Sequence, residues 1–229
     1  MTLPVYAIIP ARGGSKRIPR KNIKSFLGNP MLGHVLEMLR DSDLFDQIVV
    51  STDDAEIKKV AEEYRADRVL VRPLNLADDL TPTQPVIQHS IEQLKLRDAM
   101  VCCVYPCNPL LTTTTLETCL KLSQKRPDRF CFPILEYPHP IQRAFSLEDN
   151  FDLSLVNPEA ELSRTQDLPT RYHDSGSFYF GKSELWMSNA RIHSNAIGVP
   201  ISKTAAIDID NEDDWVLAEQ LCMAIQRRP

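Results

Sequence analysis

The chain lacks several things, and each absence narrows what it does. No apolar run approaches the roughly 18–20 residues that cross a bilayer. The first stretch, 1–9, has no basic flank and no small-residue cleavage site. It is not read as a signal peptide, and a cytoplasmic protein that avoids membranes is expected. The six cysteines, at 102, 103, 107, 119, 131 and 222, make no C-x-x-C pair, and no histidine stands at zinc-finger spacing from any of them. Reduced, buried thiols are expected. No internal repeat and no low-complexity tract is present. Neither sign of charge is in large excess: 26 Lys+Arg against 31 Asp+Glu leave −5, which argues against a general nucleic-acid binder. Glycine is scarce, seven in 229 residues, yet two of the seven are adjacent at Gly13-Gly14.

What is there is an ordinary globular composition, 43% hydrophobic and 25% charged, in a chain long enough to bury a core without disulfides or a structural metal. At about 150 residues per domain, the length suits a single domain, 1–229, carrying an insert. Short apolar runs at 5–9, 47–51, 68–71 and 100–105 read as strands. Segments 30–39, 85–96 and 116–122 read as helices, as does a segment capped by Asp53 with Ile57, Val60, Ala61 and Tyr64 on one face. The alternation predicts an α/β fold: a Rossmann-like, mainly parallel sheet with helices on both faces. From 133 to about 170 the pattern breaks into proline- and acid-rich stretches, expected to be an inserted dimerisation segment. Strands are expected again at 177–180 and 205–209, then a helix from Asn211 onward.

In such sheets ligands sit beyond the carboxyl ends of the strands. The first such end carries Pro10-Ala11-Arg12-Gly13-Gly14-Ser15-Lys16-Arg17-Ile18-Pro19-Arg20-Lys21-Asn22. With Lys24 it holds six cationic side chains, and no Asp or Glu precedes Glu37. Glycines directly after a strand let backbone N–H groups approach an anion closely. The natural occupant is a triphosphate; the plain alternative is a solvated basic loop. Neither G-x-x-x-x-G-K-[ST] nor G-x-G-x-x-G is present, so a different phosphate cradle is expected.

A second feature is Ile207-Asp208-Ile209-Asp210. On a strand, Asp208 and Asp210 would share a face. Close carboxylates repel unless a cation lies between them, and hard oxygen ligands suit Mg²⁺. Alternatively Asp210 or Asn211 merely caps the last helix. A third feature, 163–179, is dense in donors and acceptors. Arg164, Gln166, His173 and Ser175 suit a polyhydroxylated ligand bearing a carboxylate, with His173 either a general base or a structural residue.

The runs Ala11-Arg12-Gly13-Gly14-Ser15-Lys16 with Lys21-Asn22, Ser51-Thr52-Asp53, Arg72-Pro73, Leu76-Ala77-Asp78-Asp79 and Asp208-Ile209-Asp210 resemble, in this order, the acylneuraminate cytidylyltransferase family. Within it, 164–168 followed by Tyr172-His173-Asp174 and Gly176 resembles the branch acting on pseudaminic acid in bacterial surface-sugar synthesis. The resemblance implies that CTP is joined to a nine-carbon 2-keto sugar acid, with Mg²⁺, and that pyrophosphate is released. It also implies a homodimer whose insert completes the neighbouring sugar pocket. Arg12, Lys21, Asp208 and Asp210 are then the catalytic set, and Asp208 and Asp210 hold the metal. Ala11, Arg12, Gly13, Gly14, Ser15 and Lys21 belong to the nucleotide loop, while Asn22, Arg72, Thr81 and Thr83 surround cytosine and ribose. Tyr105, Asn108, Arg164, Gln166, His173, Asp174, Ser175 and Tyr179 fall on the sugar side. The family's usual Q-P-T-S-P is Tyr105-Pro106-Cys107-Asn108-Pro109 here, and its Asn-Gly is Ser175-Gly176. Both departures touch the sugar, not the nucleotide.

Other readings stay open at this level. They are the same reaction on legionaminate or N-acetylneuraminate, a nucleotidyltransferase using a sugar phosphate, and a non-catalytic nucleotide-sensing module. Nucleic-acid binding is disfavoured because the basic loop has no interleaved aromatics on which bases stack.

Overall fold

A computed structural model describes residues 3–78 and 80–226; Asp79 of the motif above lies outside the described residues. Four apolar strands build a parallel core: β1 (Val5–Pro10), β2 (Gln47–Thr52), β3 (Arg68–Val71) and β4 (Met100–Val104), side by side as β4-β1-β2-β3. The crossovers are α1 (Met31–Asp41), α2 (Ala55–Glu63) and α3 (Thr83–Leu94). After α4 (Thr113–Lys125) come β5 (Cys131–Glu136), β6 (Tyr172–Asp174) and β7 (Phe178–Lys182). A short α5 (Ser183–Met187), β8 (Ile197–Pro200) and α6 (Glu212–Gln226) complete the chain. β7 joins β4 antiparallel, β6 and β7 both pair antiparallel with β5, and β8 runs parallel to β5. The result is one eight-stranded mixed sheet whose core is parallel.

Period-two alternation in β1 splits the core into two layers. Ala7 and Ile9 face Leu32, Leu36, Ile57 and Leu116 of α1, α2 and α4, whereas Ile8 faces Ile87 and Ile91 of α3 and Trp186 of α5. Helices thus cover both faces, as the alternation predicted. A third, smaller cluster lies off the sheet. It gathers Ile18 from the basic loop, Phe26 and Met31, Leu110, Ile209, and Trp215, Ala218 and Cys222 of α6. This cluster brings the two chemically interesting segments, 10–24 and 207–210, to one place.

Three sequence expectations need correction. No strand forms at 205–209; the segment enters α6 without a ladder, and the strand is β8, earlier in the chain at 197–200. The excursion begins after Glu136, because 133–136 belong to β5. The cap of α2 is Asp54, not Asp53: its Oδ1 accepts the N–H groups of Glu56 and Ile57. All six cysteines are free thiols, five of them buried. Among the described residues no helix is long and apolar enough to cross a membrane.

Candidate active site

A cleft of about 800 Å³ opens at the carboxyl ends of the parallel strands, where such sheets hold their ligands. Arg12, Ser15, Lys16, Arg17, Lys21 and Asn22 line one end. Arg72, Thr81, Thr83 and Tyr105 line the middle, Asp174, Gly176 and Tyr179 the far wall, and Asp208 and Asp210 complete it.

The basic loop is fixed from beneath. The Gly13 N–H donates to Asp53 Oδ1 at 3.1 Å, and Arg20 forks onto Asp54 and Glu56. Arg20 holds the Asp54 carboxyl below the usual carboxylate range. A Cβ on Gly13 would stand 2.5 Å from Asp54 Oδ2 and 2.9 Å from its Cβ, so only glycine lets the loop lie this close. Gly14 meets nothing within 4 Å. Gly13→Ala is therefore expected to destabilise by about 1–3 kcal/mol through overpacking, whereas Gly14→Ala stays within about 0.5 kcal/mol of wild type; thermal melts of the two variants check the contrast.

Asn22 ties this loop to the end of β4. Its Nδ2 donates to the Arg12 carbonyl at 2.8 Å, and the Cys107 thiol donates to its Oδ1 at 3.3 Å. Burial pushes the Cys107 thiol up to about 12, so it serves as a donor and not as a thiolate nucleophile. Arg12 Nη1 donates to the Asp78 carbonyl at 2.8 Å, and the Thr81 hydroxyl donates to Asp78 Oδ1 at 2.6 Å, which joins the loop to the Thr81 side of the cleft. Arg72 is only 5% exposed. Its guanidinium donates to the Ser51 carbonyl at 2.7 Å, and burial draws its pKa down.

The acidic segment touches both halves of the cleft. Arg17 pairs with Asp210 at 2.7 Å, Lys21 donates to the Ile209 carbonyl, and Lys24 binds Glu212 while lying 4.6 Å over the Trp215 ring. On the other side, a Cβ on Gly176 would meet Asp208 Cγ at 3.8 Å. Burial raises the Asp208 carboxyl above its ordinary value; Asp210 adds to the rise, and Lys21 and Arg17 oppose it. Two carboxylates that disfavour each other's charge beside a cationic loop are suited to a divalent cation. Among the described residues no three His, Cys, Asp or Glu side chains gather as a self-sufficient metal cage. A pair of carboxylates with phosphate oxygens and water filling the remaining positions is the pattern that fits Mg²⁺.

The far wall is built on a bulge. Asp174 pairs with Ile134 and Phe180 with Cys131, so six steps along β6–β7 match three along β5. The surplus is taken up around Gly176, whose φ of +65° is the left-handed region. The Asp174 carboxylate organises the bulge. Its Oδ1 accepts the Gly176 N–H at 2.8 Å, and its Oδ2 accepts the Tyr179 hydroxyl at 2.6 Å and His193 Nε2 at 2.7 Å.

Not every residue expected here reaches the cleft. Ala11 is buried in the core, and Ser15 lines the cleft. His173 alternates to the face opposite Asp174, bonding through Nδ1 to the Asp174 carbonyl and packing its ring on Tyr137, so no general-base role is visible for it. Ser175 is buried and donates to Ser177. Asn108 is buried with neither amide atom bonded. Arg164 and Gln166 sit exposed on the excursion, Arg164 paired with Asp167, outside this chain's own cleft. In the other direction, His193 and Asp54 support residues of the site from behind, His193 through Asp174 and Asp54 through Arg20, without a sequence signal to single them out.

A mixed α/β sheet with a parallel core, a cationic glycine loop after its first strand and two carboxylates lining the same cleft are the arrangement that suits a nucleotidyltransferase. The fold resembles that of a solved CMP:2-keto-3-deoxy-manno-octonic acid synthetase in complex with CTP. That match has a TM-score of 0.71 at 15% identity and covers 98% of this chain and 100% of that one. A family model described as cytidylyltransferase matches residues 6–204, and the chain belongs to that family. It is 40% identical over 220 residues to a pseudaminic acid cytidylyltransferase of Campylobacter jejuni, covering 93% of this chain and 94% of that protein. An N-acylneuraminate cytidylyltransferase B of Danio rerio is 32% identical over 93% of this chain and 50% of its own length.

Proposed function

We propose that this enzyme joins CTP to pseudaminic acid, giving the CMP-sugar and pyrophosphate. The observation that carries the reading is the position of segment 208–210, held by Arg17 and Lys21 on the phosphate side and abutting Gly176 on the other. An α-phosphate lying there meets an acceptor resting against the Tyr179 wall. The 40% identity to a protein of that named activity, over nearly all of both chains, supports pseudaminate as the acceptor.

In this reading Arg12, Lys16 and Lys21 bind the triphosphate, and Arg72, Thr81 and Thr83 enclose the nucleoside. The anomeric hydroxyl of the sugar acid attacks the α-phosphorus and releases its proton to solvent. The bond to the bridging oxygen breaks, and pyrophosphate leaves with the bonding pair. The chain's share is positioning and charge stabilisation, which suffices for phosphoryl-type transfer. Asp208 and Asp210 would hold Mg²⁺, which would offset charge on the phosphate oxygens.

The excursion supplies a reason for a homodimer. Phe145 pairs with Leu155 and Leu147 with Leu153 across a small hairpin, so all four share one face, and Phe145, Leu147 and Leu153 are exposed. A lone two-stranded hairpin with a bare apolar face is marginal in water. A second copy of this chain covers it, and Arg164 and Gln166 then have a sugar site to reach in the neighbour.

Pyrophosphate release with CTP and Mg²⁺ tests the function, with pseudaminate, legionaminate and N-acetylneuraminate as separate acceptors. The expected result is turnover with pseudaminate at least ten times faster than with either other acid, about 1.4 kcal/mol of discrimination. Preference for another acid would replace the acceptor, and silence with all three would remove the reading.

A further inference from the structure

His193 lies in the loop between α5 and β8, a stretch with no assigned role in the cleft. Its Nε2 stands 2.7 Å from Asp174 Oδ2, the same oxygen that accepts the Tyr179 hydroxyl at 2.6 Å. A carboxylate only accepts, so Nε2 carries the proton and the Tyr179 proton is committed to Asp174. The other Asp174 oxygen is held by the Gly176 N–H at 2.8 Å. The imidazole is packed as well as bonded, edge-on to Phe132 at 5.4 Å and to Tyr179 at 6.0 Å between ring centroids.

This arrangement has a directional consequence. A tyrosine hydroxyl has one proton; once it is spent on Asp174, the lone pairs of the Tyr179 oxygen are what remains for a ligand. Burial, with the neighbouring Tyr105 and Asp174, keeps the phenol protonated. The neighbouring Tyr105 hydroxyl is engaged with Thr83 at 2.6 Å, and its ring meets the Tyr179 ring edge-on at 5.8 Å between centroids.

We propose that His193, acting through Asp174, positions the Tyr179 hydroxyl as a hydrogen-bond acceptor that selects a donor, a hydroxyl or an amide N–H, on the acceptor substrate. His193 is a positioning residue; Tyr179 and Asp174 line the cleft and His193 does not. The inference rests on the reading of the cleft as a CTP-dependent sugar-acid site.

The test is steady-state kinetics of the full-length enzyme with CTP and whichever of pseudaminate, legionaminate and N-acetylneuraminate the wild type consumes fastest. His193→Phe keeps a ring against Phe132 and Tyr179 and removes the donor. His193→Gln restores an N–H. For His193→Phe the expected result is a KM for the sugar acid about tenfold higher, the size of one lost hydrogen bond, with the KM for CTP within about twofold of wild type. His193→Gln is expected within about threefold of wild type for both substrates. Tyr179→Phe reproduces the defect, and the double variant with His193→Phe is no worse than Tyr179→Phe alone, because both act through one contact. Should His193→Phe fail to fold, His193→Leu, which also removes the donor, in the same cycle with Tyr179→Phe gives the same readout. Unchanged sugar-acid KM, an equal rise in the CTP KM, additive defects or failure of His193→Gln to rescue would each overturn the proposal. Wild-type turnover separates the two levels: with no acid consumed the sugar-acid reading falls and takes this with it, whereas normal wild-type turnover with a silent His193→Phe removes only the role of His193.

Discussion

Asp208→Asn is expected to lower turnover by about 10²–10³-fold while leaving the unliganded protein at least as heat-stable as wild type at neutral pH. The two halves of this result have one cause. Burial and the neighbouring Asp210 raise the Asp208 carboxyl above its unfolded value. A group with a raised folded pKa contributes stability that is fully present below its unfolded pKa and is lost as pH rises through its folded pKa. At pH 7 the native enzyme therefore holds a carboxylate it would rather protonate, and an uncharged isostere relieves that cost. In the proposed function the charge is kept because a cation and a phosphate would use it. Melting curves at pH 7 should show Asp208→Asn equal to or above wild type, with the advantage disappearing in acid, below the ordinary carboxylate range. Added Mg²⁺ with CTP should raise the wild-type midpoint more than that of the variant, since ligands stabilise only the state that binds them. Near-normal turnover of Asp208→Asn would remove the acidic pair from the mechanism, and a large drop in its melting point at pH 7 would mean that the carboxylate is structural.

How much of this site the sequence shows depends on how local the signal is. The loop 11–24 is legible because its charges, its paired glycines and its place after an apolar strand all lie within a few residues. Asp208 and Asp210 are legible as a pair and misleading as a strand. Alternation of isoleucine and aspartate mimics a half-buried β-pattern, but Ile209 is buried against Ile18 and Trp215, and Lys21 holds its carbonyl where a ladder would have been. The far wall is legible only in composition. Alternation requires His173 and Asp174 to face opposite ways, and which of them faces the cleft is set by the bulge at Gly176, which depends on pairing with a strand forty residues away. His193 carries no pattern at all: it is a lone histidine in a loop, nineteen residues from the carboxylate it binds. Asp54 is hidden by its neighbour, since Asp53 and Asp54 are equally good caps on paper and only the turn geometry gives one of them to α2 and the other to Gly13.

The excursion after β5 is where the reach of one chain ends, and it carries the second large effect. Leu147 and Leu153 face each other across the hairpin and are 64% and 63% exposed, and Phe151 at its tip and Leu162 beyond it are 83% and 95% exposed. Scattered apolar residues on a surface are ordinary, but a paired apolar face on a hairpin that stands off the main sheet suits a contact surface. Arg164 and Gln166 lie nine and eleven residues beyond this hairpin, at a short turn with no cleft of their own to line. Leu147→Asp with Leu153→Asp is therefore expected to turn a dimer into a monomer in sedimentation at micromolar concentration. Turnover of the sugar acid should fall about 10²-fold, the scale of a misplaced reactant. CTP affinity should stay within about threefold, because the loop 11–24, Arg72 and Thr83 all come from the same chain. The sign of each change separates the possible roles of the arm. If the double variant is monomeric and fully active, the arm joins subunits without serving the site. If the wild type itself sediments as a monomer, the apolar face has another partner and Arg164 and Gln166 leave the list of sugar contacts. Loss of CTP binding together with turnover would instead mean that the hairpin supports the fold of its own chain.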